Sequence, residues 1–187
     1  ERDLGPWAER ARVTLSAQEQ HERRVRERPR AAVREGGRDD VRTLGLTAAA
    51  TTAPTRLGPL ALTGDYGVDV YRDALDSVAW LELTDLGFVR YDSRGQYLTG
   101  SRYLTGGGFA TAAATWRALT VRAGGRLGLA TAAAPGDAAS ATTAIDRRWF
   151  TQAGFVGATW AARADLELAA VLDRSFRAPN LDDLTGR

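Results

Sequence analysis

The side chains best suited to hold a ligand are concentrated in one segment, residues 74–108. Aromatic and arginine residues follow one another closely there, namely Trp80, Phe88, Arg90, Tyr91, Arg94, Tyr97, Arg102 and Tyr103. Aromatic rings and guanidinium groups together hold planar or sugar-like molecules by stacking and cation–π contact. The same composition is also typical of a loop that packs on itself. Both interpretations stay open. The candidate ligand contacts within this segment are Arg90, Tyr91, Tyr97, Arg102 and Tyr103, and Arg177 is the candidate outside it.

Residues suited to catalysis or metal binding are scarce. The chain has no cysteine and one histidine, His21, so thiolate and multi-histidine metal sites are excluded. It contains no Gly-x-Ser-x-Gly nucleophile elbow and no phosphate-binding loop that ends in Gly-Lys. His21 has the chemistry of an iron or haem ligand, but without a second histidine nearby we interpret it as a solvated residue at a rim. We therefore expect no enzyme activity and assign no cofactor.

The overall composition excludes several classes of protein. A net charge of +2 is close to balance and gives no indication of nucleic-acid binding. No apolar run of about 18 residues is present, so a helical membrane span is not predicted. The first residues also lack the basic and then apolar pattern of a signal peptide. Membrane β-barrels stay compatible with this composition, because their strands are short and only alternately apolar.

The dominant pattern is alternation of apolar and polar side chains. Near the C-terminus, Leu168, Ala170 and Leu172 alternate with Glu167 and Asp173, as in a strand with one apolar face. Similar segments predict an all-β chain of seven antiparallel strands. They span residues 12–27, 41–53, 60–73, 109–118, 121–132, 150–162 and 166–176. Alanine runs at 48–50, 112–114 and 132–134 favour helix by propensity, but they show no 3.6-residue apolar stripe.

The residue patterns of two predicted strands indicate which side chains share the apolar face. In 121–129, Val121, Ala123, Leu127 and Leu129 alternate with Arg122 and Arg126. An arginine on the lipid face of a membrane barrel costs roughly 2–4 kcal/mol near the midplane, so both arginines should point into the lumen. In 60–73 the apolar set is Leu60, Leu62, Tyr66, Val68 and Val70, and the opposite set is Thr63, Asp65, Asp69, Tyr71 and Asp73.

The predicted connections alternate in length. Long connections at 28–40, 74–108 and 133–149 alternate with short ones at 54–59, near Leu119 and at 163–165. Outer-membrane barrels have this asymmetry, with short periplasmic turns and long extracellular loops, whereas a β-sandwich or jelly roll gives no reason for it. We therefore predict a fragment of an up-and-down transmembrane β-barrel, an open curved sheet of about seven strands. Trp116 and Trp160, near short turns, are expected to be interfacial aromatic residues.

A motif at the end of the last predicted strand resembles a known family. Residues Phe176, Arg177, Ala178, Pro179, Asn180 and Leu181 resemble the FRAP box of TonB-dependent outer-membrane receptors. Pro179 fits a strand end, because proline has no N–H for the ladder. Weaker similarity extends through VRTLGL at 41–46, GDYGVDVYRDALDS at 64–77 and GGGFA at 106–110. Residues 1–187 are thus expected to be part of such a barrel, with the FRAP box where a strand enters an extracellular loop.

The resemblance implies a location and a function. TonB-dependent receptors are plugged barrels in the outer membrane of Gram-negative bacteria. They bind a scarce nutrient such as an iron–siderophore complex, haem or cobalamin, and an inner-membrane TonB complex drives its uptake. The implied partners are the plug domain and remaining barrel strands, the TonB complex, the lipid bilayer with lipopolysaccharide, and the nutrient, but no nucleic acid. A passive porin or structural barrel and a soluble β-sandwich adhesion domain are the alternatives.

Two groups of arginine residues have competing interpretations. Arg177 has the chemistry to bind an anionic ligand or an acidic plug residue, but pairing with Asp173, Asp182 or Asp183 is favoured. The reason is that a motif shared by receptors for different ligands usually serves architecture. The arginine-rich run 22–34 suits lipopolysaccharide or an anionic siderophore, and internal pairing in a solvated loop is favoured there too. Haem receptors carry a histidine and an Asn-Pro-Asn-Leu box after the FRAP box; neither appears before Arg187, so the ligand stays open.

Overall fold

The chain forms one antiparallel β-sheet in a computed structural model that describes Gly5 and residues 7–185. Seven long strands follow one another as neighbours, and two short strands pair with the edge of the third long one. The strands are β1 Arg10–Arg28, β2 Val33–Thr51, β3 Thr55–Leu57, β4 Leu60–Leu83, β5 Phe88–Tyr91, β6 Ser101–Trp116, β7 Leu119–Ala134, β8 Ile145–Arg163 and β9 Leu166–Arg174. A short helix, α1, spans Leu181–Thr185.

The sheet is a curled, open meander in the order β1-β2-β4-β6-β7-β8-β9. The prediction of an all-β, antiparallel, open curved sheet of seven long strands is therefore confirmed. The alanine runs lie inside β2, β6 and β7. Tertiary pairing overrides their helix propensity, because each alanine belongs to a strand that is hydrogen-bonded on both sides.

The prediction of a long loop at 28–40 is wrong. Residues 33–40 belong to β2, and the turn is confined to 29–32, with Arg28 and Val33 as the last cross-strand partners. These strand ends are rich in charged residues and have few apolar ones, so an apolar pattern does not reveal them. Ion pairs join direct or near cross-strand partners, with Arg34 to Glu27 at 2.8 Å and Arg28 to Glu35 at 3.2 Å.

The second predicted long loop is also shorter than expected. β4 continues to Leu83, β5 folds back onto it, and β6 starts at Ser101, so the irregular part is 92–100. The third is reduced to 135–144, and the turns at 117–118 and 164–165 lie where the sequence predicts them. We call the end of the sheet with 84–100 and 135–144 the long-loop end, and the end with 52–59, 117–118 and 164–165 the short-turn end.

The two faces of the sheet differ in chemistry as the alternation predicts. Direct cross-strand partners share a face of an antiparallel sheet. Val70 is the partner of Leu46 and, through Gly106, lies in line with Leu129 and Phe150, which defines the apolar face. Asp69 is the partner of Thr47 on the opposite, polar face. The predicted sets in β4 and β7 lie on opposite faces, including Arg122 and Arg126 on the polar face.

Candidate functional site

The apolar face carries a continuous exposed surface that we call the apolar band. Leu15 is 80% exposed, Leu127 60% and Phe150 60%. Its large members are Val13, Leu15, Leu44, Leu46, Tyr66, Val68, Val70, Leu104, Trp116, Val121, Leu127, Leu129, Phe150, Val156, Trp160, Leu168 and Leu172. Single exposed hydrophobic residues are ordinary, but a contiguous patch that spans seven strands marks an interaction surface.

The height of the apolar band is similar on neighbouring strands. It runs from Leu119 to Leu129 on β7 and from Phe150 to Trp160 on β8. Trp116 and Trp160 both lie beside Leu119, on this face at the short-turn end, where the sequence predicts aromatic residues. Each tryptophan is about half exposed, and the guanidinium of Arg117 lies 5.2 Å from the ring centroid of Trp116.

Two polar residues interrupt the apolar band near the β8–β9 edge. Gln152 is the partner of Leu127, and Arg174 is the partner of Gly154. Arg174 is the last residue of β9, so its long side chain can extend towards the long-loop end while its methylene groups stay on the apolar surface.

The polar face carries hydrogen-bonded and charged side chains in its middle and at the short-turn end. Arg126 binds Asp69 through both terminal nitrogens, with Nη2 2.9 Å from Oδ2. Asp65 accepts a hydrogen bond from Thr51 at 2.7 Å, and Asp73 accepts one from Thr43 at 2.7 Å. This face is therefore suited to water or to a polar partner.

At the long-loop end the polar face is covered by what we call the outer cap, which comprises residues 92–100, 135–144 and 175–185. The cap packs on a small hydrophobic core. That core contains Leu75, Ala132 and Leu181, with Val41, Tyr97, Tyr103, Trp149 and Leu184 packed around them. Leu98 is 2% exposed. The cap is thus a folded layer with its own buried residues.

A buried polar cluster holds residues 92–100 against the sheet. The Ser77 hydroxyl donates to the Asp39 carboxylate and accepts from the backbone N–H of Tyr97 at 3.2 Å. The Thr99 hydroxyl donates to the carbonyl of Ser77 at 2.5 Å and accepts from its N–H at 3.1 Å. Arg24 adds a hydrogen bond to the other Asp39 oxygen at 2.9 Å. Asp39 and Ser77 are 6% and 4% exposed, so this pair is shielded from water, whereas Arg24 and Thr99 at its border are exposed.

The three segments of the outer cap are also joined to one another. Arg94, which is buried, donates to the Thr142 hydroxyl at 3.2 Å and to the carbonyl of Gln96 at 2.7 Å. The Ser93 hydroxyl donates to Asp137 at 2.6 Å. Hydrogen bonds from Ser140 and then Ser93 lower the pKa of the Asp137 carboxyl. Residues 92–100 and 135–144 therefore form a single hydrogen-bonded unit.

The FRAP-like segment docks as the third part of the outer cap. Asn180 and Asp183 bond each other's backbone, since the Asp183 N–H donates to Asn180 Oδ1 at 2.8 Å and the Asn180 N–H donates to Asp183 Oδ2 at 3.0 Å. This reciprocal pair of N-terminal capping hydrogen bonds starts helix α1. The carbonyl of Pro179 accepts from the Tyr103 hydroxyl at 3.1 Å, and Ala178 and Leu181 are buried. β9 ends at Arg174, two residues before the predicted end.

The ligand contacts predicted within residues 74–108 divide into three places. Tyr97 and Tyr103 lie together under the FRAP-like segment, where Gln96 also donates to Asp182 at 3.0 Å. Burial, and then the charge of Asp182, raises the pKa of the Tyr97 phenol. Arg90 and Tyr91 are exposed on β5, away from this cluster, with Arg90 3.4 Å from Asp92. Arg102 lies on the apolar face.

Arg177 and His21 both have carboxylate neighbours. Arg177 donates to Asp183 at 3.3 Å, one of its three expected structural partners, and its side chain is 74% exposed. His21 Nδ1 lies 2.8 Å from Asp40 Oδ1, with the imidazole 62% exposed. No group of three potential metal ligands occurs within the described part of the chain.

The buried residues Asp39 and Ser77 are not among the predicted site residues, and Arg94 is named only with the ligand-suited side chains of 74–108. Asp39 and Ser77 fall in segments that the sequence assigns to loops, so the sequence does not predict that either is buried. No alternating apolar pattern marks residues 33–40 as part of β2, because apart from Val33 they are charged or glycine.

Comparisons with known proteins do not assign the chain to a family. No protein-family model, curated protein or solved structure matches this chain. Within residues 7–185 and Gly5, no helix is long and apolar enough to cross a membrane.

Proposed function

We propose that the chain is part of the barrel wall of an outer-membrane receptor that takes up a scarce nutrient by the TonB-dependent route. The nutrient class is that of the family it resembles, which includes iron–siderophore complexes, haem and cobalamin. In this proposal the apolar band contacts the bilayer, the polar face lines the lumen, and the outer cap lies on the extracellular side. The plug domain and the remaining strands belong to the same receptor.

The apolar band is the observation that carries the membrane part of the proposal. A tilted strand crosses the hydrocarbon core with about 9–11 residues, and the stretches Leu119–Leu129 and Phe150–Trp160 match that length. A soluble β-sandwich buries its apolar face against a second sheet. The described residues instead place every long strand in one sheet and leave this face exposed. The tryptophans at the short-turn end fit the interfacial girdle of membrane barrels.

Two features favour a receptor over a passive porin. The FRAP-like motif is the first, and its residues stabilise the outer cap through Pro179, Asn180 and Leu181. The second is the cap itself, which covers the polar face at the end where a porin needs an open mouth. Aromatic and polar side chains in the cap, Tyr97 and Tyr103 among them, provide surfaces for an organic ligand.

Membrane fractionation tests the location. The parent protein is expected to stay in the outer-membrane fraction after a carbonate wash, and the isolated chain is expected to aggregate or to need detergent, because β1 and β9 leave unpaired edges among the described strands. Release by the wash, or a soluble monomer that melts sharply in plain buffer, would contradict the membrane assignment and favour a β-sandwich.

Growth tests separate uptake from passive diffusion. A strain that lacks the parent gene is expected to lose growth on one limiting nutrient, such as a defined iron source, while small-solute permeability is unchanged. A plug domain encoded in the same gene would support the receptor. Unchanged growth on all limiting nutrients, together with reduced permeability to small solutes, would identify a porin instead.

A further inference from the structure

A small cavity lies on the polar face, in the half of the sheet that is nearer to the short-turn end. Its volume is about 390 Å³, and no residue of the outer cap lines it. Pockets that hold small organic molecules have volumes of about 300–1,000 Å³. The polar part of the lining consists of Thr63, Asp65, Thr111 and Arg122, and the apolar part includes Ala113 and Phe155.

Phe155 supplies the apolar wall of the cavity. It is the direct cross-strand partner of Gly124, and its ring atom Cε1 lies 2.7 Å from the point that a Cβ of residue 124 would occupy. The missing side chain of Gly124 therefore gives the phenyl ring room to lie along the sheet. Phe155 is still 38% exposed, so part of its ring is available to pack against an apolar group of a ligand.

The cavity also holds one positive and one negative side chain that do not bind each other. Arg122 is exposed and has no hydrogen-bond or ion-pair partner in the part of the chain that the structure describes. Asp65 accepts hydrogen bonds from Thr51 at 2.7 Å and from Thr111 at 3.5 Å. An ionised carboxylate has about four acceptor positions, so Asp65 can accept further hydrogen bonds.

The other charged residues of the polar face do not neutralise these two groups. Asp69 and Arg126 bind each other. Arg10 and Arg12 on β1 and Asp173 on β9 lie on the same face, but none of them lines the cavity. None of these five residues is within the 4.0 Å ion-pair distance of the cavity's own charged groups. The guanidinium and the carboxylate of the cavity therefore stay available for a ligand.

We propose that this cavity binds a free α-amino acid with an apolar side chain. Arg122 binds the α-carboxylate through paired N–H donors, and Asp65 accepts hydrogen bonds from the α-ammonium group. The ligand side chain packs on Phe155. A ligand with one charge of each sign pairs with both charged groups, whereas an anion or a cation leaves one of them without a partner. The inference rests on the polar face alone, and the proposed function adds only that the ligand arrives through the lumen.

The test compares three probes that share a side chain and differ in charge. Phenylalanine has both charges, phenylalaninamide lacks the carboxylate, and N-acetylphenylalanine lacks the ammonium group. Isothermal titration calorimetry measures their binding to the full chain in detergent micelles. Phenylalanine is expected to bind about 10- to 100-fold more tightly than either derivative, because each derivative loses the hydrogen bonds of one charged group.

Two variants assign the two contacts. Arg122→Gln should bind phenylalanine and phenylalaninamide equally and still reject N-acetylphenylalanine, and Asp65→Asn should show the reverse selectivity. A general loss of folding does not produce this exchange. The matched controls are Arg147→Gln and Asp173→Asn, which remove the same charges from exposed residues of the polar face outside the cavity. Each control should change the affinities by less than about twofold, because charges in solvent are screened.

Several results overturn the inference. They are no binding of phenylalanine, equal binding of the three probes by the wild type, and selectivity that survives in Arg122→Gln and Asp65→Asn. Tighter binding of glycylphenylalanine than of phenylalanine overturns the free amino acid as the ligand. If the chain binds phenylalanine but the complete parent receptor does not, another part of that receptor fills the cavity and the inference fails. The carbonate wash tests the membrane location separately, so the two proposals can fail independently.

Discussion

The apolar band and the outer cap lie on opposite faces of the same sheet and are stabilised in different ways. The band has large apolar side chains that touch few other residues and stay exposed, such as Leu15 and Leu172. The cap has buried residues, a reciprocal helix cap and a shielded Asp39–Ser77 pair. The band therefore depends on what surrounds the protein, whereas the cap depends on specific contacts within it.

The largest effect on stability is expected from a charged residue introduced into the apolar band. Leu15→Arg should lower the free energy of unfolding from a bilayer by about 2–4 kcal/mol, because the arginine enters hydrocarbon. Thr14→Arg, one residue away on the polar face of β1, should change it by less than about 1 kcal/mol. Denaturant unfolding of both variants in lipid vesicles measures the difference. Equal losses for the two variants would show that the apolar face does not meet lipid.

A cavity in the cap should have a smaller and more local effect. Leu181 is 4% exposed and packs against Leu75 and Ala132, so Leu181→Ala should weaken cap docking by about 2–3 kcal/mol. The emission of Trp149, which borders the same core, should shift to the red while the band stays inserted. Phe176→Ala is the control, since Phe176 is 47% exposed. If both variants shift the emission equally, α1 is not docked through Leu181.

The contrast between the apolar band and the outer cap also explains which parts of the structure can be predicted from the sequence. Alternation along one strand predicts the faces of β4 and β7, because each strand carries that information locally. The sequence pattern predicts loops at the ends of β2 and β4, because cross-strand ion pairs and pairing with β5 hold these ends and neither leaves an alternating apolar pattern. The outer cap depends on contacts between residues far apart in the chain, such as Gln96 with Asp182 and Tyr103 with Pro179. No local periodicity reports such contacts.

Breaking the buried polar cluster should cost about as much as one charged hydrogen bond. Asp39→Ala leaves the Ser77 hydroxyl without its acceptor and Arg24 with Glu22 as its remaining carboxylate, which should destabilise the cap by about 1.5–3 kcal/mol. Hydrogen exchange at the Tyr97 and Ser77 amides, both bonded within this cluster, measures the loss. Asp39→Asn keeps an acceptor for Ser77 and should be milder. Faster exchange that is identical in the two variants would rule out this hydrogen bond as the cause.

The smallest expected effect is the pH dependence of the contact between residues 92–100 and 135–144. Hydrogen bonds from Ser140 and Ser93 lower the pKa of Asp137 below its ordinary value of 3.8. A carboxyl whose pKa is lower in the folded state stabilises that state above its unfolded pKa, and this contribution is lost as the pH falls through the folded pKa. The contact should therefore hold at neutral pH and loosen only below about pH 4. Ser93→Ala should move the pKa of Asp137 back towards the ordinary value. This pKa is measured from the NMR shift of the Asp137 side-chain carboxyl carbon. An Asp137 titration that Ser93→Ala leaves unchanged would mean that the hydrogen bond between these two loop segments does not stabilise the cap.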